Sequence, residues 1–142
     1  MAWSRLLVGF FALFLCSNAW AQVDEKVIET LVYEAGGGLE GMTAVAEVIR
    51  NRAQGSCPEI PTSNSCYEAV VMSPNQFSCW NDFSKLRTIT PGEYQRASEA
   101  WERSRTSNLV HGAKHYHASY CRPFWASSSP FIVRVGKHLF YE

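Results

Sequence analysis

The spacing of apolar residues changes along the chain, and this change limits the possible folds more than any other feature of the sequence. From Asp24 to about Arg105, most apolar residues recur every three or four positions, as they do on one face of an amphipathic helix. Ala113–Ala118 and Phe131–Tyr141 are instead rich in aromatic and β-branched residues, and Gly136 interrupts the second segment as a turn would. We therefore predict an α+β fold that is mainly helical, with a small antiparallel β-sheet near the C-terminus.

Glycines mark the boundary between the first two predicted helices. Asp24 is in position to cap a helix that runs to Glu34-Ala35, and Gly36-Gly37-Gly38 should stop that helix there. A second helix follows, and Arg50 and Arg52 near its end suit the negative pole of the helix. Its apolar face consists of Met42, Val45, Val48 and Ile49.

Two further helices are predicted in the middle of the chain. The first is a short stretch at Tyr67–Met72. The second opens at Thr90-Pro91-Gly92-Glu93, a capping box with proline at the first helical position, and runs to about Arg105. Its inward-facing residues are expected to be Tyr94, Ala97 and Trp101. Residues 73–89 show no clean period, so we predict a loop there.

The N-terminal segment reads as a signal peptide. Arg5 precedes the uncharged, almost wholly apolar run Leu6–Leu15, and Ala19-Trp20-Ala21 supplies the small residues that signal peptidase accepts. We expect cleavage after Ala21, which makes residues 1–21 a leader and residues 22–142 an exported domain, secreted or periplasmic and without stable membrane insertion. An uncleaved N-terminal anchor is the alternative.

Four cysteines follow the predicted leader, at positions 57, 66, 79 and 121. An even number in an exported chain indicates two disulfides, and four cysteines allow three pairings. We favour Cys57–Cys66, which would close a loop rich in Pro, Ser and Asn, together with Cys79–Cys121. A reactive thiol or a cysteine metal site is the weaker alternative, because the sequence contains no C-x-x-C.

Composition excludes several classes of protein. The chain has 142 residues, of which 46% are hydrophobic and 18% charged, and this excludes a disordered or fibrous protein. Its 13 Lys and Arg are balanced by 13 Asp and Glu, which argues against a dedicated nucleic-acid-binding protein. We therefore expect one globular domain after the leader.

Glu34 is the carboxylate that most suggests chemistry. It lies at the predicted C-terminus of an apolar helix, where the helix dipole and apolar neighbours both disfavour a charged carboxylate. A protonated carboxyl group is what a general acid needs in order to protonate a glycosidic oxygen. The glycines that follow would let a polymer backbone approach closely. The alternative is an ordinary glutamate at a frayed helix end.

Histidines and aromatic residues supply the other candidate sites. On a strand, His115 and His117 point to one face with usable metal-ligand spacing, but a zinc enzyme needs a third ligand and no H-E-x-x-H motif is present. These histidines could instead line a groove or bond backbone carbonyls. Aromatic rings stack on the faces of sugars, and amide groups bond sugar hydroxyls. The alternative is that these rings belong to the core. Two clusters have this character, one with Gln76, Phe77, Trp80 and Asn81, the other with Tyr116, Tyr120, Phe124 and Trp125.

Taken in order, five segments resemble the bacterial cell-wall hydrolase family of the SleB (spore-cortex-lytic) type. The resemblance covers residues 27–141 and follows the family pattern Y-G-E-A-R-G-E, G-x-x-A-V-A-x-V-I-x-N-R, P-x-Q-F-S-x-W, Y-Y-H and G-x-H-x-F-Y. The corresponding segments here are Tyr33-Glu34-Ala35-Gly36-Gly37-Gly38, residues 41–52, residues 74–80, His115-Tyr116-His117 and residues 136–141. The family's glycine before the glutamate is absent or replaced by Tyr33, while Gly36 and Gly38 replace its arginine and second glutamate, for which Glu40 could substitute.

The resemblance implies a lysozyme-like domain that cleaves peptidoglycan between N-acetylmuramic acid and N-acetylglucosamine, either as a lytic transglycosylase, which we favour, or as a hydrolase. Glu34 matches the family's single acid/base, so neither a paired nucleophile nor a cofactor or metal is required. We expect a monomer whose partner is the glycan strand, with no nucleic acid involved. The predicted substrate-binding residues are Gln76, Phe77, Ser78, Trp80, Asn81, Tyr116, His117 and Trp125.

Two other functions remain open at this point. One is a zinc-dependent peptidoglycan amidase or peptidase that uses His115 and His117. The other is a peptidoglycan-binding module that has kept the groove and lost the chemistry, which the altered glycine-rich motif makes conceivable.

Overall fold

The computed structural model describes residues 24–36, 38–60 and 64–142, so the predicted leader lies outside the described residues. Helices precede strands along the chain, and the predicted α+β fold with a small antiparallel sheet is confirmed. The helices are α1 (Glu25–Ala35), α2 (Leu39–Gly55), α3 (Cys66–Met72), α4 (Ser78–Asn81) and α5 (Pro91–Arg103), and the strands are β1 (His115–Ala118), β2 (Phe131–Val135) and β3 (His138–Tyr141). Short 3₁₀ turns occur at Phe83–Lys85 and Phe124–Ser127.

Helix α2 lies at the centre of the domain. One side packs with α1, α3 and α5 in the main apolar core, to which Val45 and Ile49 contribute. Its other side, through Ala44 and Val48, packs against Phe140 and other residues of the sheet region in a second cluster. Every residue from Met42 to Ile49 is therefore buried, as expected for a helix covered all round. The predicted buried face of this helix is confirmed.

Helix α1 begins and ends where the sequence predicted. Gly36 follows its last residue with φ of 67° and ψ of 40°, the left-handed conformation that glycine adopts without steric cost. Asp24 occupies the N-cap position, but its side chain makes no capping hydrogen bond. Its carboxylate accepts hydrogen bonds from Ser65 Oγ and from the indole Nε1 of Trp101. The side chain of Asp24 therefore connects α1 to α3 and α5.

Helix α5 carries the predicted capping box. Thr90 Oγ1 accepts from the backbone N–H of Glu93, and the Glu93 carboxylate accepts from the N–H of Thr90. Ala97 and Trp101 are buried as expected. Tyr94 is 37% exposed, so its predicted inward position is wrong. It lies in the first turn of α5.

The three strands form an antiparallel sheet in the order β1-β3-β2. The central strand β3 pairs His138 with Ala118 of β1 and with Val135 of β2. Gly136, at φ of 55°, makes the tight turn that joins β2 to β3, as the sequence predicted. This order places β1 at one edge of the sheet, and its Tyr116 packs against both apolar clusters.

The segment 73–89 is more regular than predicted. It contains α4 and the 3₁₀ turn Phe83–Lys85, separated by Asp82. Apolar periodicity cannot reveal a helix of four residues, because four residues complete about one turn. Within the residues that the structure describes, no helix has the length and hydropathy needed to cross a membrane.

One of the two predicted disulfides is present. Cys57 and Cys66 are bonded, which closes the loop between α2 and α3. Cys79 and Cys121 are both free, so the predicted second disulfide is wrong. Cys79 is buried in α4 and its thiol contacts Glu34, whereas Cys121 is exposed after β1.

Candidate active site

Glu34 is held in the last turn of α1 by contacts from two other elements. Its Oε1 accepts hydrogen bonds from Ser78 Oγ and from the backbone N–H of Cys79, both at 3.1 Å, at the first turn of α4. Its Oε2 accepts from the hydroxyl of Tyr116 on β1 at 3.4 Å. The carboxyl group therefore has a fixed orientation and lies where α1, α4 and β1 meet.

The groups that surround Glu34 stay protonated. Burial and the nearby Glu34 charge raise the pKa of Tyr116 well above the usual tyrosine value, so its hydroxyl remains a donor. The same two causes raise the pKa of the Cys79 thiol to about 12. Cys79 therefore remains a thiol at neutral pH, and nothing in its surroundings activates it as a nucleophile.

No cation forms a salt bridge with Glu34 among the described residues. Arg52 of α2 interacts with Glu34 through charge. Its guanidinium is fixed elsewhere, because Nε donates to Lys114 O at 2.7 Å and Nη1 donates to Gln76 Oε1 at 3.2 Å. Burial lowers the pKa of Arg52, an effect that the charges of Tyr116 and Glu34 oppose.

A cleft of about 520 Å³ opens beside Glu34. Six of the sequence-predicted site residues line it together, and most of the groups that they present are polar. These six are Glu34, Gln76, Ser78, Asn81, Tyr116 and His117. The cleft therefore brings the candidate acid together with hydroxyl, amide and imidazole groups that can bond sugar hydroxyls.

Three other predicted site residues lie outside the cleft lining. Phe77 is only 2% exposed and belongs to the main core, so no substrate ring can stack on it. Trp80 donates its indole N–H to Thr30 Oγ1 at 2.9 Å and packs against the same core. Trp125 packs edge-on against His117 and Tyr141. Burial therefore excludes Phe77 as a platform for a sugar ring, whereas substrate contact by Trp80 and Trp125, which are both partly buried, stays a prediction.

The histidine pair does not form a metal site in the described part of the chain. Within residues 24–36, 38–60 and 64–142, no three His, Cys, Asp or Glu side chains are arranged to hold a metal ion. His117 Nδ1 lies 2.8 Å from Ala118 O, which can only accept, so this nitrogen carries the proton. The other nitrogen then accepts from the Tyr141 hydroxyl at 3.0 Å. The imidazole of His117 is thus held by protein groups on both sides.

Tyr33 and Gly36 depart from the family pattern next to Glu34, and the structure shows what surrounds each of them. The hydroxyl of Tyr33 donates to Arg87 O at 2.7 Å and so ties α1 to the segment before α5. At Gly36, an added Cβ would lie 2.6 Å from Nζ of Lys137. The lysine side chain therefore occupies the space beside this glycine, and the left-handed backbone there disfavours any larger residue.

Eight residues that line the cleft were not among the predicted catalytic and substrate-binding residues, although Tyr120 was named in one of the two aromatic clusters. They are Tyr33, Arg52, Asn75, Lys85, Ala118, Tyr120, Cys121 and His138. Arg52 was interpreted from its position near the end of α2 as a partner of the helix dipole, and no local pattern distinguishes that role from a role in a cleft. Tyr120, at 81% exposure, offers a free aromatic face at the cleft.

Comparisons with known proteins agree on the type of domain. A model of the family described as Cell Wall Hydrolase matches residues 36–141, a match that begins just after Glu34. No curated protein sequence matches the chain significantly.

Two solved structures have a similar fold. The catalytic domain of the germination-specific lytic transglycosylase SleB from Bacillus anthracis aligns with a TM-score of 0.64 and 23% identity, over 88% of this chain and 98% of that chain. The catalytic domain of the Bacillus cereus SleB protein aligns with a TM-score of 0.62 and 23% identity, over 88% of this chain and 94% of that chain. These likenesses confirm the predicted lysozyme-like architecture.

Proposed function

The chain belongs to the Cell Wall Hydrolase family, and on that premise we propose that it cleaves the glycan strands of peptidoglycan as a lytic transglycosylase. The observation that carries the proposal is the position of Glu34, which lines an open cleft and has no salt-bridge partner among the described residues. The similar fold of a lytic transglycosylase catalytic domain supports the same reaction. The bond cleaved joins C1 of N-acetylmuramic acid to O4 of N-acetylglucosamine.

In the first step, the carboxyl group of Glu34 gives its proton to the glycosidic oxygen while the C1–O4 bond breaks. The carboxylate that results is stabilised by the three donors that already contact it, the hydroxyls of Ser78 and Tyr116 and the N–H of Cys79. Because these donors are fixed before the reaction, they need no reorganisation when the charge develops. The N-acetylglucosamine leaves with a free 4-hydroxyl.

In the second step, the same carboxylate takes a proton from the 6-hydroxyl of the muramyl residue. That oxygen then attacks C1 and closes a 1,6-anhydro ring, so Glu34 is again protonated and no water is consumed. A single acid/base suffices for both steps, whereas a two-carboxylate glycosidase needs a partner acid. Among the residues that line the cleft, Glu34 is the only carboxylate, which supports this route.

The polar residues of the cleft would bind the sugars on either side of the bond that is cleaved. Gln76, Ser78 and Asn81 offer amide and hydroxyl groups on one wall, and Tyr116 and His117 lie on the other. We further propose that residues 1–21 direct export and are removed, so that residues 22–142 act on the cell wall outside the cytoplasm. The domain would work as a monomer.

The test is a Glu34→Gln variant assayed on purified sacculi. The amide keeps the size of the side chain but cannot give or take the proton, so release of soluble muropeptides should fall by about 10²–10⁴-fold. Mass spectrometry of the wild-type products should find ends that are one water lighter than hydrolysed ends.

The matched control is Glu25→Gln, at the exposed first residue of the same helix. This variant should release muropeptides at the wild-type rate. A Glu34→Gln protein that retains full activity would refute the proposal, and binding to sacculi without any product from the wild-type protein would favour a binding module instead.

A further inference from the structure

A second cavity adjoins the cleft. It has a volume of about 370 Å³ and shares two lining residues with the cleft, Arg52 and Gln76. The hydrogen bond of 3.2 Å between these two side chains forms the boundary between the two spaces. The rest of its lining comes from Gly55, Ser56, Pro58, Val70, Ser73, Lys114 and His115. A ligand that extends sideways from the cleft would therefore enter this cavity directly.

The cavity is positively charged. Arg52, Lys114 and His115 line it, and none of the described residues in its lining is an Asp or Glu. His115 adds no charge at neutral pH, because burial lowers its pKa and the charges of Arg52 and Lys114 lower it further. The positive charge of the cavity therefore comes from Arg52 and Lys114. Positive charge that no lining carboxylate balances favours an anionic ligand.

The donors needed to hold an anion are available. A guanidinium has five N–H donors, and Arg52 directs one to Lys114 O and one to Gln76 Oε1. Its Nη2 has no hydrogen-bond partner among the described residues. The Lys114 side chain forms no salt bridge in the described part of the chain. Arginine and lysine side by side are a common arrangement for binding carboxylates.

We infer that this cavity binds the peptide stem of peptidoglycan through a stem carboxylate, an inference that rests on the proposed function. The stem is attached to the lactyl group of the muramyl residue, next to the bond that would be cleaved, so it would extend sideways from a strand lying in the cleft. A stem-bearing strand carries its carboxylates on the peptide and not on the sugars, which matches the charge of the cavity. The volume of the cavity lies within the range of ligand pockets and is larger than a single carboxylate group would fill.

A substrate comparison with Lys114→Gln tests the inference. The rate of strand cleavage is measured on stem-bearing glycan strands and on stripped strands. The stripped strands are made by removing the stems with an amidase and converting the lactyl carboxylates that this exposes to amides. The variant should cleave stem-bearing strands about fivefold more slowly than the wild type, because it loses one charge-assisted contact. Its rate on stripped strands should match the wild-type rate. The fold is not at risk, because Arg52 is bound by the backbone carbonyl of Lys114 and not by its side chain.

The matched control is Arg134→Gln, which removes the same charge from the exposed face of β2, away from both cavities. Its two rates should equal those of the wild type. Three results for Lys114→Gln would each overturn the inference. They are an equal loss of rate on both substrates, a loss of rate on stripped strands alone, and no loss of rate on either substrate. None of these results would affect the role of Glu34, which the sacculus assay tests separately.

A binding measurement provides a readout that does not depend on cleavage. The Glu34→Gln protein, labelled with ¹⁵N, is titrated with a free stem tetrapeptide and with the same peptide after its carboxylates have been amidated. We expect the acidic peptide to shift the amide signals of Lys114 and His115, and the amidated peptide to leave them in place. Shifts of equal size with both peptides, or with neither, would contradict a carboxylate site.

Discussion

Three glutamates that lie on helices, Glu34, Glu47 and Glu68, accept hydrogen bonds from different kinds of groups. Glu47 is 4% exposed and accepts from the backbone N–H groups of Leu109 and Val110, which fixes the approach to β1. Glu68 is 1% exposed and accepts from the N–H groups of Lys26 and Asn64. Both stabilise connections between elements. Glu34 alone of the three lines the cleft, where its oxygens can reach a ligand.

The two free thiols should differ sharply in reactivity. Because burial and Glu34 raise the pKa of Cys79 to about 12, very little thiolate forms there at neutral pH. Cys121 is exposed. Brief treatment of the native protein with iodoacetamide should therefore alkylate Cys121 and leave Cys79 unmodified, as peptide mapping by mass spectrometry would measure.

Unfolding in urea before alkylation serves as the control, because both thiols should then be labelled. Protection of both residues in urea without reductant would indicate a disulfide between them and would restore the pairing that we first predicted. Labelling of native Cys79 as fast as Cys121 would contradict its burial.

At the scale of single residues, the sequence identified the polar groups of the site better than the aromatic ones. Glu34, Gln76 and Asn81 were predicted and do share a cleft. Phe77 and Trp80 carry the same sequence signal as a sugar-binding cluster, but Phe77 belongs to the core and Trp80 is partly buried against it. A ring that binds a sugar and a ring that fills a core have the same chemistry, and only packing separates them.

At the scale of elements, α5 depends on a charge that acid removes. Arg87 and the hydrogen bonds from Thr90 lower the pKa of Glu93 to about 2, from an ordinary value of 4.5. A carboxylate whose pKa is depressed by folding stabilises the folded state above its unfolded pKa, and that stabilisation disappears as pH falls toward the folded pKa.

We therefore expect Glu93→Gln to be less stable than the wild type at pH 7. The difference should shrink as pH falls from about 4.5 toward about 2, because the wild-type carboxylate then becomes protonated. Urea denaturation of both proteins across this range measures it, and comparing the two proteins cancels the titration of other groups. A difference that stays constant down to pH 2 would contradict the assigned cause.

The elements that the sequence predicted are those with a strong local signal. The capping box at Thr90 and the glycine after α1 both act within a few residues, so they can be identified without a structure. The side-chain partners of Asp24 could not be predicted, because they come from distant segments. These partners are Ser65 and Trp101.

At the scale of the whole molecule, one disulfide should contribute measurably to stability. Cys57 and Cys66 are separated by 9 residues in sequence, and closing a loop of this size lowers the entropy of the unfolded chain by an amount worth about 2–3 kcal/mol. The double variant Cys57→Ser/Cys66→Ser should therefore lose about that much free energy of unfolding in urea denaturation.

Wild-type protein denatured in the presence of a reductant should match the double variant, since both lack the bond. The double variant at neutral pH should still fold, because the core formed by α1, α2 and α5 does not include this loop. An unchanged free energy of unfolding in both experiments would contradict the assignment of the disulfide.

The two cavities were beyond the reach of the sequence because they form between segments distant along the chain. The cleft joins the end of α1, the segment around α4 and the strand β1, and Arg52 enters it from α2. Motif order identified the family and the architecture, since these depend on patterns that run along the chain. Which side chains share a space depends on how the elements pack.

The shared position of Arg52 has a thermodynamic consequence. One guanidinium borders both spaces, so a ligand that reorients it from one side changes the donors available on the other side. Coupling of this kind is reciprocal: the factor by which an occupied side cavity alters affinity in the cleft equals the factor in the opposite direction. The protein would then distinguish glycan strands that carry peptide stems from strands that lack them through cooperativity transmitted by a single side chain.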